Sequence, residues 1–219
     1  MQFNLIKAIM VYFRKLIAIA LFSLSACEPT VTFQEPQPVG SANLSAFPTR
    51  WQGSYTSLTD SNTLLIGEKL IRRICFFEEK VPKSQLDSIS NLYKDTLSFA
   101  KSPIQVTIHS EGDSLLVQQT YVDTLFHISA KQILRKMQGN YFINIYHENT
   151  GWEVKKLQIS KGKLLIGTIS TPEEINNLEA ITKSAPDSLA PHQFSVTRKQ
   201  FKSFVKENGF REQEIFIKK

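Results

Sequence analysis

The chain has 219 residues, of which 42% are hydrophobic, and it carries a formal net charge of +6. This length and hydrophobic content suffice for one domain with a substantial core or for two small lobes. The lysines and arginines are scattered rather than clustered in a stripe, so the sequence does not favour a nucleic-acid-binding protein. The chain has only two cysteines and no Cys-x-x-Cys motif, so it lacks the spacing of a cysteine-ligated metal site.

A short apolar segment near the N-terminus has the pattern of an export signal. Arg14 and Lys15 precede an apolar run over residues 16–24, which is followed by the small residues Ser25 and Ala26. This run is too short to span a bilayer, because a transmembrane helix needs roughly 20 residues. A basic flank, a short apolar run and small residues before a cleavage site are typical of a secretory signal.

The signal ends in Leu24-Ser25-Ala26-Cys27, which resembles the lipobox of bacterial cell-envelope lipoproteins. In that family the cysteine sulfur receives a diacylglycerol, a peptidase cuts before the cysteine, and the new amino group is usually acylated. The resemblance implies a lipoprotein signal peptide over 1–26, cleavage between Ala26 and Cys27, and attachment to the membrane through lipidated Cys27. An ordinary secretory signal with an accidental cysteine is the alternative interpretation.

Lipidation of Cys27 has consequences for the second cysteine, the charge and the location. It leaves no partner for Cys75, which lies in an apolar run and is expected to be a buried, inert thiol. Loss of the signal removes three basic and no acidic residues, so the formal charge falls to +3. The remaining lysines are expected mainly to be solvated, and weak attraction to anionic headgroups is their second expected role.

Glu28, in place of the aspartate associated with inner-membrane retention, favours the outer membrane of a Gram-negative bacterium. Met10 is the expected translation start, because it begins a more usual signal.

The segment 27–48, which starts with the lipidated cysteine, is predicted to be a flexible tether. Its prolines at positions 29, 36, 38 and 48 interrupt any regular pattern, and most residues between them are polar. Fully stretched, about 20 residues would reach roughly 60–70 Å. The sequence therefore predicts a domain that moves freely over the membrane surface.

Residues 49–219 are predicted to form a β-rich globular domain. Alternating or apolar runs bounded by turn residues indicate strands. The strand-like segments, in chain order, are 63–66, 70–77, 104–109, 114–121, 124–128, 141–146, 152–159, 164–169 and 214–217. The first two form a hairpin across a Gly-containing turn, and 141–169 is the clearest antiparallel meander. Residues 82–101 fit either a short helix or an irregular excursion.

Helical signals are confined to three places. Residues 131–136 are expected to form one or two helical turns. Thr171 followed by a proline and then Glu174 is a capping box and predicts a helix to about residue 183. Thr197 and Gln200 repeat this pattern before a second helix that ends near residue 208. The predicted class is mainly β (α+β), with antiparallel hairpins or a meander and two short capped helices near the C-terminus.

Two pairs of segments echo each other along the chain. Residues 52–55 resemble 138–141, and 64–67 resemble 164–167. Two related β-lobes would explain the echo, and so would the common chemistry of strands and turns.

Further phrases resemble a group of uncharacterised lipoproteins from Gram-negative bacteria. They lie at 123–126, 138–144, 151–174 and 197–210, and the resemblance covers most of the mature chain. It brings no known activity and no functional residues, and it supports a single envelope domain.

The sequence carries no recognisable catalytic or metal-binding motif. The histidines at 109, 127, 147 and 192 lack the spacing of a zinc site, and the Gly-x-Ser-x-Gly and phosphate-loop patterns are missing. Adjacent glutamates at 78–79 would point to opposite faces of a strand, and those at 173–174 are explained by capping. Catalytic residues, cofactors and metals are therefore not expected. Trp51 and Trp152 are expected to pack in the core rather than line a sugar or lipid groove, so no ligand-binding residue is assigned.

The favoured function is therefore a non-enzymatic binding or assembly role for a membrane-anchored envelope lipoprotein. Its expected partners are the membrane, through Cys27, and an envelope protein or an apolar ligand, with no nucleic acid. The alternative is a carrier of a lipid or small apolar ligand in a β-barrel or sandwich, and a hydrolase is less favoured.

Overall fold

A computed structural model describes residues 31–60, 62–85, 104–183, 192–207 and 209–219. The signal peptide, the cleavage site at Ala26, the lipidation site at Cys27 and most of the ambiguous segment 82–101 lie outside these ranges. The chain divides into two compact units. Of the described residues, 78–85 and 107–118 belong to the first unit and the others to the second.

Strands dominate both units, which confirms the mainly β class. Two helices are described, α1 (Pro172–Thr182) and α2 (Arg198–Lys206), together with 3-10 turns at Thr49–Trp51 and Lys83–Gln85. The strands are β1 (Val31–Phe33), β2 (Gly53–Ser57), β3 (Thr63–Ile66), β4 (Leu70–Pro82), β5 (Ile104–Glu111), β6 (Ser114–His127), β7 (Gln132–Met137), β8 (Asn140–His147), β9 (Gly151–Ser160), β10 (Lys163–Thr168), β11 (His192–Phe194) and β12 (Glu212–Lys218). No helix among the described residues is long and apolar enough to cross a membrane.

The second unit is organised around one sheet with the order β11-β1-β9-β10-β12-β2-β3-β4-β6. β8 pairs with β9 and carries β7 on its other side. The predicted hairpin is confirmed as β3 and β4, and the predicted meander as β8, β9 and β10. The two echoing pairs of segments lie in this same unit, so they do not form separate lobes.

The described part of the first unit holds the ends of β4, β5 and β6. Lys83 ties the β5–β6 turn down, because its Nζ donates to Ser110 Oγ at 2.7 Å and to the Gly112 carbonyl at 2.6 Å. Lys80 and Glu111 add an ion pair of 3.2 Å between β4 and β5.

One helix prediction and one strand prediction are wrong in detail. Residues 131–136 were expected to form one or two helical turns, but 132–137 form β7, which pairs with β8 from Gln132 opposite Ile145 to Met137 opposite Asn140. A helix of one turn gains few internal hydrogen bonds, whereas β7 gains a full ladder and buries Leu134 completely. The two strands predicted over 114–128 are one continuous strand, β6.

The prediction of a flexible tether is wrong for residues 31–48. Val31 to Phe33 form β1, which is buried and pairs in parallel with β11 and at one position with β9. Asn144 holds the following turn, since its Oδ1 accepts the Gln37 N–H at 2.5 Å and its Nδ2 donates to the Gln37 carbonyl at 2.9 Å. Phe47 is buried against Phe126. The prolines exclude regular structure here, but the apolar side chains still anchor the segment to the core.

The second unit contains two apolar clusters. One surrounds Trp51, whose ring centroid lies 4.5 Å from that of Tyr141. The other packs both helices against the sheet, with the Phe201 ring 5.9 Å from Phe33 and 5.1 Å from Phe142. The apolar face of α2 therefore packs against the sheet, with Phe201 in contact with β1.

Both predicted capping boxes are present. The Thr171 hydroxyl accepts the Glu174 N–H at 3.3 Å while the Glu174 carboxylate accepts the Thr171 N–H at 3.2 Å. Thr197 and Gln200 make the equivalent pair at 3.3 and 2.9 Å. The helix starts follow from these local bonds, which satisfy N–H groups that have no partner within the helix.

Candidate functional site

A group of exposed apolar residues, divided between the two faces of the sheet, lies where β4 and β6 are neighbours in the second unit. We call it the aromatic patch, and it consists of Phe76, Phe77, Tyr121 and Val122. The exposed fractions of these residues are 45%, 69%, 38% and 39%. The two strands lie side by side, with Ile128 of the linker after β6 donating its N–H to the Lys69 carbonyl before β4 at 2.9 Å. Exposed apolar residues grouped on two neighbouring strands are typical of an interaction surface.

The position of the patch follows from how far β3 extends. The described pairs of β3 with β4 run from Ile66 opposite Ile71 to Thr63 opposite Ile74. Cys75, Phe76 and Phe77 lie beyond that end, and exposure rises from Cys75 to Phe77. Residues 75–77 belong to an apolar run typical of a core strand, but in the structure they extend out of the core.

Cys75 itself is half-buried rather than fully buried. Burial raises the pKa of its thiol, Arg73 lowers it, and the carboxylates of Asp60 and Asp123 raise it further. A raised pKa keeps the thiol protonated at neutral pH, and the thiolate is the reactive form. The environment of Cys75 thus agrees with the inert thiol expected from the sequence.

A second surface is a basic groove between α1 and α2. It has a volume of about 520 Å³, and its lining includes Lys199, Lys202 and Lys206 of α2 and Ile181 of α1. Spacings of three and four residues place these lysines on one side of the helix. The Gln200 side chain donates to the Ile181 carbonyl at 2.8 Å and holds the two helices together. The groove therefore combines three positive charges with an apolar wall.

Among the described residues, the buried charged side chains are those of Glu174 and Lys156, and both have a structural explanation. The Glu174 carboxylate accepts the Arg211 N–H at 2.8 Å in addition to the bonds of the capping box. Lys156 Nζ lies 3.4 Å from the Gly209 carbonyl and 5.6 Å from the centre of the Phe210 ring. Burial lowers the pKa of Lys156, and the negative charge of Glu174 opposes this shift. The pair braces the start of α1 against residues 209–211.

The remaining residues considered in the sequence do not converge on a site. The described part of the chain contains no group of three or more His, Cys, Asp or Glu residues that could hold a metal ion. His147 is paired with Glu153 at 3.1 Å in the β8–β9 hairpin, and His109 and His127 are exposed. Trp51 is buried in the core as predicted, and Trp152 packs partly buried against Tyr146 with ring centres 5.1 Å apart.

Sequence reasoning missed both surfaces. The lysine spacing on α2 was visible, but only the packing of its Phe201 side against the sheet shows that the lysine side faces outward. The aromatic patch had a weaker signal: the apolar pair Phe76-Phe77 runs directly into Glu78-Glu79, without a turn between them.

Comparison of the chain with protein-family models, with curated proteins and with solved structures found no match.

Proposed function

We propose that this chain is a lipid-anchored protein of the bacterial cell envelope that binds another envelope protein through the aromatic patch. The observation that carries the binding role is the exposure of Phe77, at 69%, beside Phe76, at 45%, on a strand that has left the core. Burying one such side chain on association would contribute about 1.5–3 kcal/mol.

The partner we propose supplies an extended strand. The described pairs on the β3 side of β4 stop at Ile74, and β4 continues to Pro82. Strand addition would use the backbone N–H and C=O groups that β4 directs to the β3 side beyond Ile74, which alternate residues supply. It would also cover an aromatic side chain on each face of β4, because Phe76 and Phe77 point to opposite faces.

The anchor is supported by the resemblance of Leu24-Ser25-Ala26-Cys27 to a lipobox. Only residues 28–30 separate Cys27 from β1. Four residue steps reach at most about 14 Å between Cα atoms. A lipid on Cys27 would thus hold β1 close to the membrane, whereas the sequence predicted a long flexible tether between them. Glu28 favours the outer membrane as the location.

The aromatic core favours a binding role over the carrier role. Trp51 contacts Tyr141, and Phe47 contacts Phe126, so large side chains occupy the space between the strands. A carrier would need an apolar cavity of several hundred Å³ there.

Site-specific photo-crosslinking in intact cells tests the binding role. A photoreactive phenylalanine analogue replaces Phe77, and a second variant carries it at Tyr121. Leu58, which is 52% exposed on the other side of β3, is the matched control. We expect the first two variants to give one adduct of the same mass and the control to give none. Adducts that are equal at all three positions, or absent at Phe77, would contradict the proposal.

The anchor has its own test, which does not depend on the patch. Mass spectrometry of the processed chain should find Cys27 at the N-terminus with the added mass of acyl chains. Cys27→Ala should abolish that mass, whereas Cys75→Ala should leave it unchanged. An unmodified thiol at Cys27, or an intact leader, would refute the lipoprotein interpretation.

A further inference from the structure

The groove between the two helices carries positive charges that the packing of the helices does not explain. Lys199, Lys202 and Lys206 are all exposed, and none of them forms an ion pair within the described residues. A lysine in the last turn, such as Lys206, is partly explained by the negative end of the helix. Lys199 and Lys202 have no such explanation, since they lie in the first turns of α2.

One carboxylate is bonded to Ser203 of the groove lining, and it does not cancel the three positive charges. Glu207 follows the helix, and its carboxylate accepts the Ser203 hydroxyl at 2.8 Å. On the side of α1, Ile181 adds an apolar side chain to the lining of the groove. A ligand that fits has a negative group that several ammonium groups can bind, joined to a part that tolerates an apolar wall.

The place of α2 in the fold connects the groove to the proposed anchor. Phe201 of α2 packs edge-on against Phe33 of β1. Val31, at the start of β1, lies at most about 14 Å along the chain from Cys27. The helix with the unpaired lysines is therefore packed on the strand that the lipid would hold nearest to the membrane.

We infer that this groove binds the anionic headgroups of membrane phospholipids and so holds the helical side of the second unit against the bilayer. The inference deepens the proposed function and depends on it for the membrane location. Each lysine near an anionic surface strengthens binding by about fivefold, so three give roughly 100-fold in total. Neutral headgroups offer no such gain.

Vesicle binding of the full chain carrying Cys27→Ala tests the inference without any contribution from acylation. The vesicles contain either pure phosphatidylcholine or 30 mol% phosphatidylglycerol. The test variant has Lys199, Lys202 and Lys206 replaced by Gln. The control variant has the equally exposed Lys161, Lys163 and Lys219 replaced by Gln, so both lose the same charge and keep the same leader.

We expect binding to anionic vesicles to weaken about 100-fold in the test variant and less than threefold in the control. Adding glycerol phosphate to 10 mM should displace little, because a bilayer presents many headgroups at once. Equal weakening in both variants would show a mere effect of net charge and would overturn the inference. Unchanged binding of the test variant would also overturn the inference. Full displacement by glycerol phosphate would overturn it too, because it would indicate a site for a small soluble anion.

Circular dichroism checks that both variants fold. Loss of crosslinking at Phe77 would contradict the proposed protein partner and would leave the inference about headgroups unaffected.

Discussion

Replacing Phe33 with alanine separates an integrated β1 from a flexible tether. The Phe33 side chain is completely buried, lies between β9 and β11 in the sheet, and makes an edge-to-face contact with Phe201 at 5.9 Å. Truncating a fully buried phenylalanine to alanine costs about 3–5 kcal/mol, since apolar burial is lost and a cavity remains. In a tether the same change would cost nothing.

We expect the free energy of unfolding of Phe33→Ala to fall by about 3–4 kcal/mol. For a chain of this size the melting temperature would drop by roughly 10 °C. Urea unfolding followed by circular dichroism measures the free energy, and thermal scans check the second value. Phe77→Ala is the matched control, because its side chain is 69% exposed and the change should cost less than about 1 kcal/mol. Equal stabilities for Phe33→Ala and the control would refute the placement of β1 in the core.

Two further predictions concern the buried charges. Glu174→Gln should destabilise the fold by about 1–3 kcal/mol in urea unfolding, because an amide cannot accept all of the N–H bonds that the carboxylate accepts. Glu173→Gln, at the exposed neighbour in the same helical turn, should change little, and a similar loss in both would contradict the bracing role of Glu174. Burial lowers the pKa of Lys156 in the folded state, so the unfolded chain binds more protons between that lowered pKa and the ordinary value of a lysine. The free energy of unfolding of the wild type should therefore rise relative to that of Lys156→Met as the pH rises from 7 to 10. Urea unfolding at several pH values measures both free energies, and a difference between them that does not change with pH would refute the lowered pKa.

Local bonding made several elements predictable. Each capping box lies within four residues of sequence. Thr171 and Thr197 therefore mark the starts of their helices without any tertiary contact. The β3–β4 hairpin is closed by a short turn in which the Gly67 N–H donates to the Leu70 carbonyl at 2.9 Å. Elements of this kind need no distant partner, and the sequence predicts them correctly.

Elements that depend on distant partners cannot be predicted from the residues next to them. β1 exists because His192 to Phe194 pair with it from the far end of the chain. The chain around Gln37 is ordered because Asn144 binds its backbone. Neither partner can be inferred from residues near 31–48, whose prolines and polar residues look like those of a linker.

The strand-rich class and the two helix starts could be predicted correctly because each depends on runs of neighbouring residues. The export signal with a lipidated Cys27 is also read from neighbouring residues and stays a prediction. Three features follow from the folded arrangement instead: residues 31–48 belong to the folded domain, Phe76 and Phe77 leave the core, and the lysines of α2 face outward. The physical reason is that burial and strand pairing join residues far apart in the chain. A run of apolar residues shows which side chains could be buried. The tertiary fold determines which of those side chains are buried.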